Sequence, residues 1–373
     1  MTSTGDIPSP RILLGPGPSN VSARVLAALG RAPIGYLDPE LFTLLQELRA
    51  KLRTVFGTKN DFTIPLTGTG MAGMEFCLVN LLEPGDEIVI GVNGFFGVRM
   101  VEIATRIGAN VTRVDSEWGK IIEPDQIAQV LRKAKSPKAV ACVHAETSTG
   151  VRTPLLEIGK LAHEHGALFL VDAVTSLGGI PVDIDTNGID ACYSATQKCM
   201  GAPPGLSPVT FSELALTVIE KRKSTVPNWY YDLKLIKSYF DEPHAYHHTV
   251  PVNLYFALAE SLKEIMEEGL EARFARHSTV SEKLISGLSS LGVNPFAQEG
   301  HRLPTLNSVL IPSGVQDETA IRKRLLLEYG LEIGGGLGEL KGKIWRIGTM
   351  GTSATHRNVS LLLTALDEAL SKS

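Results

Sequence analysis

Between about residues 60 and 200 the chain alternates short apolar runs with segments of helical period. The runs are Glu87-Ile88-Val89-Ile90-Gly91-Val92, Ala139-Val140-Ala141-Cys142-Val143 and Ala167-Leu168-Phe169-Leu170-Val171. Strands that are apolar at successive positions are buried on both faces, which predicts a largely parallel sheet covered by helices. Helices are expected near 71–82, 97–108, 124–134 and 155–165, and Glu83-Pro84-Gly85-Asp86 is a turn that ends the first of them. This is a βαβ series of the α/β class, which places ligands beyond the C-terminal ends of the strands.

The pattern changes after Pro251. Leu254, Leu258, Leu262 and Ile265 fall at helical spacing in a helix that runs towards Gly269, and a second helix is expected near 270–291, amphipathic from His277 to Leu291. Short strands at Ser308–Ile311 and Lys343–Ile347, with helices near 317–329 and 355–370, describe a small α/β domain. The expected division is an N-terminal arm (1–20), a large domain (21–256) and a small C-terminal domain (257–373). No internal repeat or low-complexity linker interrupts it.

Composition narrows the function classes. The 373 residues are 43% hydrophobic and 20% charged, enough to bury a large core and unlike a disordered chain. Lys plus Arg (36) against Asp plus Glu (40) leaves a net charge of −4, so no basic field draws in nucleic acid or an anionic membrane. Neither partner is expected. Cys77, Cys142, Cys192 and Cys199 show no CxxC spacing, so neither a zinc clip nor a disulfide framework is indicated. Met1 to Asp6 carries no basic-plus-apolar leader signal, and no apolar run approaches the ~18 residues of a membrane span. The ending Ser371-Lys372-Ser373 resembles the peroxisomal Ser-Lys-Leu address but closes on the wrong residue. A soluble, cytoplasmic protein is expected.

Two constellations could carry chemistry. Thr67-Gly68-Thr69-Gly70-Met71-Ala72-Gly73 follows the apolar stretch Phe62 to Leu66 and opens a helix, so backbone N–H groups and the helix N-terminus could receive a phosphate. It also spells GxGxxG, but a dinucleotide fold needs an acid at the end of the next strand. Asp86 and Glu87 lie before that strand instead. A purely structural glycine turn fits the same residues. The second constellation pairs Asp172, at the end of a buried strand, with Lys198 in Tyr193-Ser194-Ala195-Thr196-Gln197-Lys198-Cys199, after a strand at Asp190–Tyr193. A partly desolvated lysine keeps a nucleophilic amine, and an acid placed at a pyridine nitrogen is what pyridoxal phosphate requires. The plain alternative is an Asp–Lys ion pair at the sheet edge.

Several motifs in order resolve the choice. Thr67–Gly70, His144-Ala145-Glu146-Thr147-Ser148-Thr149-Gly150, Asp172-Ala173-Val174-Thr175-Ser176-Leu177-Gly178-Gly179 and Ser194-Ala195-Thr196-Gln197-Lys198 resemble those of class V aminotransferases. Within that class the chain is similar to the alanine–glyoxylate and serine–pyruvate enzymes. Leu14-Gly15-Pro16-Gly17-Pro18-Ser19-Asn20, Ala202-Pro203-Pro204-Gly205, Tyr246-His247-His248-Thr249 and Arg346-Ile347-Gly348 extend the likeness from about residue 10 to 370. The resemblance implies fold type I: a large domain with a mixed, mainly parallel seven-stranded sheet, a small C-terminal α/β domain, and a homodimer with shared active sites.

It also implies roles. Lys198 would form the Schiff base with pyridoxal phosphate and move the proton, while Asp172 would pair with the pyridine nitrogen. Val174 would pack on one ring face and Phe96 on the other, where the alanine–glyoxylate enzymes carry tryptophan; weaker cofactor retention is therefore expected. Thr147 would lie near the phenolate side. Thr69, Gly70, Met71 and Gln197 would bind the phosphate, completed by Tyr246 and Thr249 of the other subunit. No metal is expected at Tyr246-His247-His248, because no carboxylate is spaced to join the histidines. Arg346 would take the substrate carboxylate, with Gly17 lining the same pocket and Tyr36 approaching a neighbouring one. The implied reaction is ping-pong transfer of an amino group from alanine or serine to glyoxylate or pyruvate. Alternatives are a donor such as 2-aminoethylphosphonate, pyridoxamine or aspartate, or, in another class, an NAD-dependent oxidoreductase or a non-catalytic binding protein.

Overall fold

The computed structural model describes residues 9–371, so Met1–Asp6 and the last two residues of the Ser-Lys-Ser ending lie outside the described residues. Seven strands form the central sheet: β1 (Thr63–Thr67), β2 (Glu87–Val92), β3 (Asn110–Asp115), β4 (Pro137–Val143), β5 (Leu168–Asp172), β6 (Ala191–Tyr193) and β7 (Leu206–Phe211). Their order is β1-β7-β6-β5-β4-β2-β3. All neighbours are parallel except β7, which runs antiparallel to both β1 and β6. The sheet is therefore mixed and mainly parallel, as expected.

Helices α1 (Ala23–Leu29), α2 (Pro39–Phe56), α3 (Gly70–Leu81), α4 (Phe95–Ile107), α5 (Pro124–Leu131), α6 (Leu156–Glu164), α7 (Glu213–Glu220), α8 (Leu233–Phe240) and α9 (Val252–Glu268) surround it. Local chemistry sets their ends. The Asp38 side chain accepts from Glu40 N–H and Pro39 occupies the first turn of α2, which stops at Gly57 in the left-handed region. Strands β2, β4 and β5 are almost wholly buried, and Val89, Ile90, Val140, Ala141, Leu170 and Val171 form the centre of the first core.

A second core lies between α10 (Leu270–Ser290), α11 (Glu318–Tyr329) and α12 (His356–Ser371) and a three-stranded sheet of β8 (Leu306–Leu310), β9 (Gly334–Gly335) and β10 (Ile344–Gly348). The junction read near residue 256 falls inside α9. That helix contributes Leu258, Leu262 and Ile265 to the first core, and the second begins on α10 at Val280. The segment before Pro16 joins the second core. Ile12 and Leu13 pair in parallel with Leu331 and Glu332, and Leu14 is fully buried there. Among the described residues no helix is long and apolar enough to cross a membrane.

Candidate active site

The C-terminal ends of β2, β4, β5 and β6 open on the edge of the sheet where Thr67, ending β1, pairs with Leu206, beginning β7. Asp172 is the last residue of β5 and is buried. Its Oδ1 accepts from Val174 N–H (2.8 Å) and its Oδ2 from the Tyr193 hydroxyl (2.7 Å). Burial pushes its carboxyl up to about 7, against the pull of those two donors.

Lys198 lies in the loop after β6, and its Nζ donates to the Pro16 carbonyl. Burial lowers its amine to about 8, with the Arg346 guanidinium acting in the same direction. Gly17 is required beside it. Its φ is +114°, and a Cβ there would fall 2.6 Å from Lys198 Nζ. Arg346, on β10, is 6% exposed and binds carbonyls rather than a carboxylate: Nε donates to Gly335 (2.8 Å) and Nη1 to Thr147 (3.4 Å). Burial lowers this guanidinium to about 10. A buried guanidinium hydrogen-bonded only to carbonyls suits a receptor for a carboxylate.

The opposite end of the site is built on α3. Thr69 caps the helix without using its side chain on it, and the first turn carries no acid. The first N–H groups and the Thr69 hydroxyl are thus available to an anion. Gly70 sits against Val174, where a Cβ would come 3.0 Å from Cγ2. Gln197 adds a buried side-chain oxygen with no partner. Met71, the next helical residue, is exposed.

Phe96 stands half-buried in the first turn of α4, on a backbone clamped by Glu146 and Ser148. Glu146 is fully buried. Its Oε2 accepts from Phe96 N–H (3.2 Å) and Gly97 N–H (3.3 Å), and its Oε1 from Ser148 N–H (3.0 Å) and hydroxyl (2.6 Å). Every partner donates, the environment of an ionised carboxylate, although burial pushes this group up. Thr147, buried alongside, shares a 2.5 Å hydrogen bond with Thr175.

Tyr36, Tyr246 and Thr249 occupy a different place in the chain. Tyr36 and Tyr246 are in ring contact at 5.2 Å, Tyr246 is 57% exposed, and Thr249 lines a surface cavity of about 380 Å³ with Tyr36. His248 Nε2 lies 3.0 Å from Thr67 Oγ1, which holds this segment near the strand that leads into the phosphate end. Among the described residues no group of three or more His, Cys, Asp or Glu could hold a metal ion.

A buried acid at a strand end, a lysine with a lowered pKa and an uncommitted helix N-terminus suit a pyridine ring bearing an aldehyde and a phosphate. The comparisons agree. A family model described as aminotransferase class-V matches residues 26–337. The chain belongs to the class V aminotransferases. The curated alanine–glyoxylate aminotransferase of Oryctolagus cuniculus is 40% identical over 364 residues, covering 96% of this chain and 92% of that one. The (S)-ureidoglycine–glyoxylate transaminase of Bacillus subtilis is 38% identical over 378 residues, covering 96% and 90%. The crystal structure of alanine–glyoxylate aminotransferase from Nostoc sp. superposes with a TM-score of 0.96 at 44% identity, over 99% of this chain and 97% of that one. The protein is an aminotransferase and its cofactor is pyridoxal phosphate, which removes the oxidoreductase reading of the Thr67–Gly73 loop.

Sequence reasoning singles out Lys198, Asp172, Arg346, Gly17 and Gly70, and the structure brings these together with Val174 and Thr147. It misses Tyr193 and the Glu146–Ser148 clamp. Tyr193 stands opposite Asp172 in register across two neighbouring parallel strands, so only the strand order exposes it.

Proposed function

We propose that this aminotransferase moves the amino group of a small L-amino acid, alanine or serine, to glyoxylate or pyruvate. The observation that carries the reading is Arg346, a buried guanidinium bonded only to carbonyls and electrostatically coupled to Lys198, as a receptor for the α-carboxylate common to donor and acceptor. The glyoxylate-dependent relatives support the acceptor.

Pyridoxal phosphate, when bound, supplies an electron sink and the carbon that carries the amino group between substrates. Lys198 Nζ would hold the cofactor covalently and, once free, would carry the proton to and from the substrate Cα. Its depressed pKa, about 8, makes the free amine available at lower pH than in an ordinary lysine. Asp172 would hold a proton on the pyridine nitrogen. Arg346 would orient the carboxylate through its planar fork, and Thr69, Gly70 and Gln197 would hold the phosphate. Phe96 and Val174 would flank the ring.

We also propose a homodimer with shared active sites. Trp229 (62% exposed, stacked on His247 at 4.5 Å), Tyr246 and Met71 leave large apolar groups uncovered near the phosphate end, and a second copy would bury them. Tyr246 and Thr249 would then complete the partner's phosphate cup.

The test follows visible absorption of the purified protein on adding L-alanine, L-serine or (S)-ureidoglycine, and then glyoxylate. The cofactor band is expected to bleach with alanine or serine and to return with glyoxylate. Bleaching by ureidoglycine alone would replace the proposed donor with that of the Bacillus relative. A band indifferent to all three would discard the proposed donors while leaving the family in place.

A further inference from the structure

Asp172 is held by more than its own strand. Tyr193 ends β6 directly beside it in register, so both side chains project from the same face of the sheet. The phenol is fully buried, and its hydroxyl donates to Asp172 Oδ2 at 2.7 Å. Gly73 lets α3 lie close against the Tyr193 Cβ. A Cβ at 73 would lie 2.9 Å from Tyr193 Cβ and 2.1 Å from Ser207 Oγ. One side chain therefore touches both the acid at the nitrogen end of the site and the helix whose N-terminus forms the phosphate end.

We propose that Tyr193 is a positioning residue that fixes the Asp172 carboxylate in its ionised form and in line with the pyridine nitrogen, and so sets how strongly the cofactor withdraws electrons.

The charge balance around Asp172 explains why such a donor is needed. Desolvation favours the neutral acid, and the Glu146 carboxylate favours it further. Lys198 opposes from the loop after β6. The other titratable groups packed against Asp172 among the described residues are the thiols of Cys77 on α3, Cys142 on β4 and Cys192 on β6, and His144, whose N–H donates to the Asp172 carbonyl. Burial pushes all three thiols up and the His144 imidazole down to about 3, so all four stay neutral and lend no charge. Val174 N–H and the Tyr193 hydroxyl are the two groups that bond the carboxylate directly. Val174 N–H is main chain and fixed by the turn. Tyr193 is the replaceable donor.

Removing the hydroxyl makes Asp172 more basic, so the proton shared with the ring nitrogen moves towards the carboxylate. A less positive ring withdraws less charge, and the imine nitrogen joined to Lys198 becomes more basic. This reasoning rests on pyridoxal phosphate lying over Asp172, and the experiment separates the two claims. In the holoenzyme, the pH midpoint of the cofactor's visible band is compared between the parent protein and Tyr193→Phe. The midpoint is expected to rise by about one pH unit, the scale of a single charge-assisted hydrogen bond, with kcat lowered more than KM. An unchanged midpoint, even with lowered melting temperature or cofactor affinity, would reduce Tyr193 to packing and overturn the proposal. A parent protein that shows no visible band with added pyridoxal phosphate would overturn the cofactor reading instead. Should the phenylalanine variant not fold, 3,5-difluorotyrosine at position 193 serves as the second probe. Its stronger donor is expected to lower the midpoint, and no movement would again overturn the role.

Discussion

At Lys198 opposing influences meet on one amine. Desolvation and the Arg346 guanidinium disfavour the ammonium, while Cys199 and the Asp172 carboxylate favour it, and the balance is a pKa of about 8 against 10.5 for the free side chain. Only the unprotonated amine attacks an aldehyde. Capture of added pyridoxal phosphate by the cofactor-free protein should therefore accelerate as pH rises through about 8 and level off above it. Rapid-mixing absorbance measures this directly. A capture rate that keeps climbing to the pH of an ordinary lysine would show that the pocket does not desolvate the amine. Linkage has the same sign. Below about pH 8 the native state carries the full penalty of a buried ammonium, and between about 8 and 10.5 the unfolded chain holds more protons, so the cofactor-free protein gains stability as pH rises across that window.

At the scale of elements, α4 shows how a chain can place a ring without placing it directly. The first three N–H groups of the helix bond Ser148 and Glu146, so Phe96 is presented by a backbone that cannot rotate away. What it presents is smaller than the tryptophan of the enzymes it resembles. Phe96→Trp should slow cofactor loss roughly 2- to 10-fold, since aromatic pairs contribute about 0.5–1.5 kcal/mol beyond their buried area. Release of pyridoxal phosphate during gel filtration checks this. Faster release from the variant would mean the clamp is cut to phenylalanine and has no room for an indole. The same helix marks where the sequence stops being legible. Buried strands such as β2 and β5 announce themselves as unbroken apolar runs. In contrast, β3 lies at the sheet edge with Val111 and Val114 as its only apolar residues, on opposite faces, and β7 carries Pro208, which faces Pro65 of β1 and reads against a strand. Asp172 and Lys198 stand out because their residue types demand chemistry where they occur. Glu146 and Tyr193 do not, because their partners, the α4 N-terminus and Asp172, are neighbours only through strand order.

Across the whole molecule, the two halves of the site belong to different cores. Lys198 and Asp172 sit on the first, and Arg346 on β10 of the second, so their separation depends on how the cores are joined. The corner between α9 and α10 does much of this. Arg273 is buried, and its Nε donates to the Gly178 carbonyl (2.8 Å), its Nη2 to that of Cys199 (2.6 Å) and its Nη1 to Glu268 (2.6 Å). Cys199 directly follows Lys198. Glu268 also binds Arg276, which donates to the carbonyls of Gly351 (3.0 Å) and Ala354 (2.8 Å), just beyond β10. A single carboxylate thus connects a clamp on the lysine loop to a clamp on the arginine strand. Arg273→Lys keeps the charge but loses the planar fork that reaches three acceptors at once, leaving buried carbonyls unpaired at about 1–3 kcal/mol each. Melting should fall by roughly 5–10 °C. Because the lysine loop then moves relative to Arg346, kcat/KM for the carboxylate substrates should fall by more than about tenfold, since small misplacements of a catalytic group are costly. Calorimetry and steady-state kinetics on the cofactor-loaded protein give both numbers. Lowered melting with unchanged kcat/KM would assign the corner to stability alone and leave the Lys198–Arg346 spacing to the N-terminal arm, whose Pro16 carbonyl accepts from Lys198 while Leu14 is anchored in the second core.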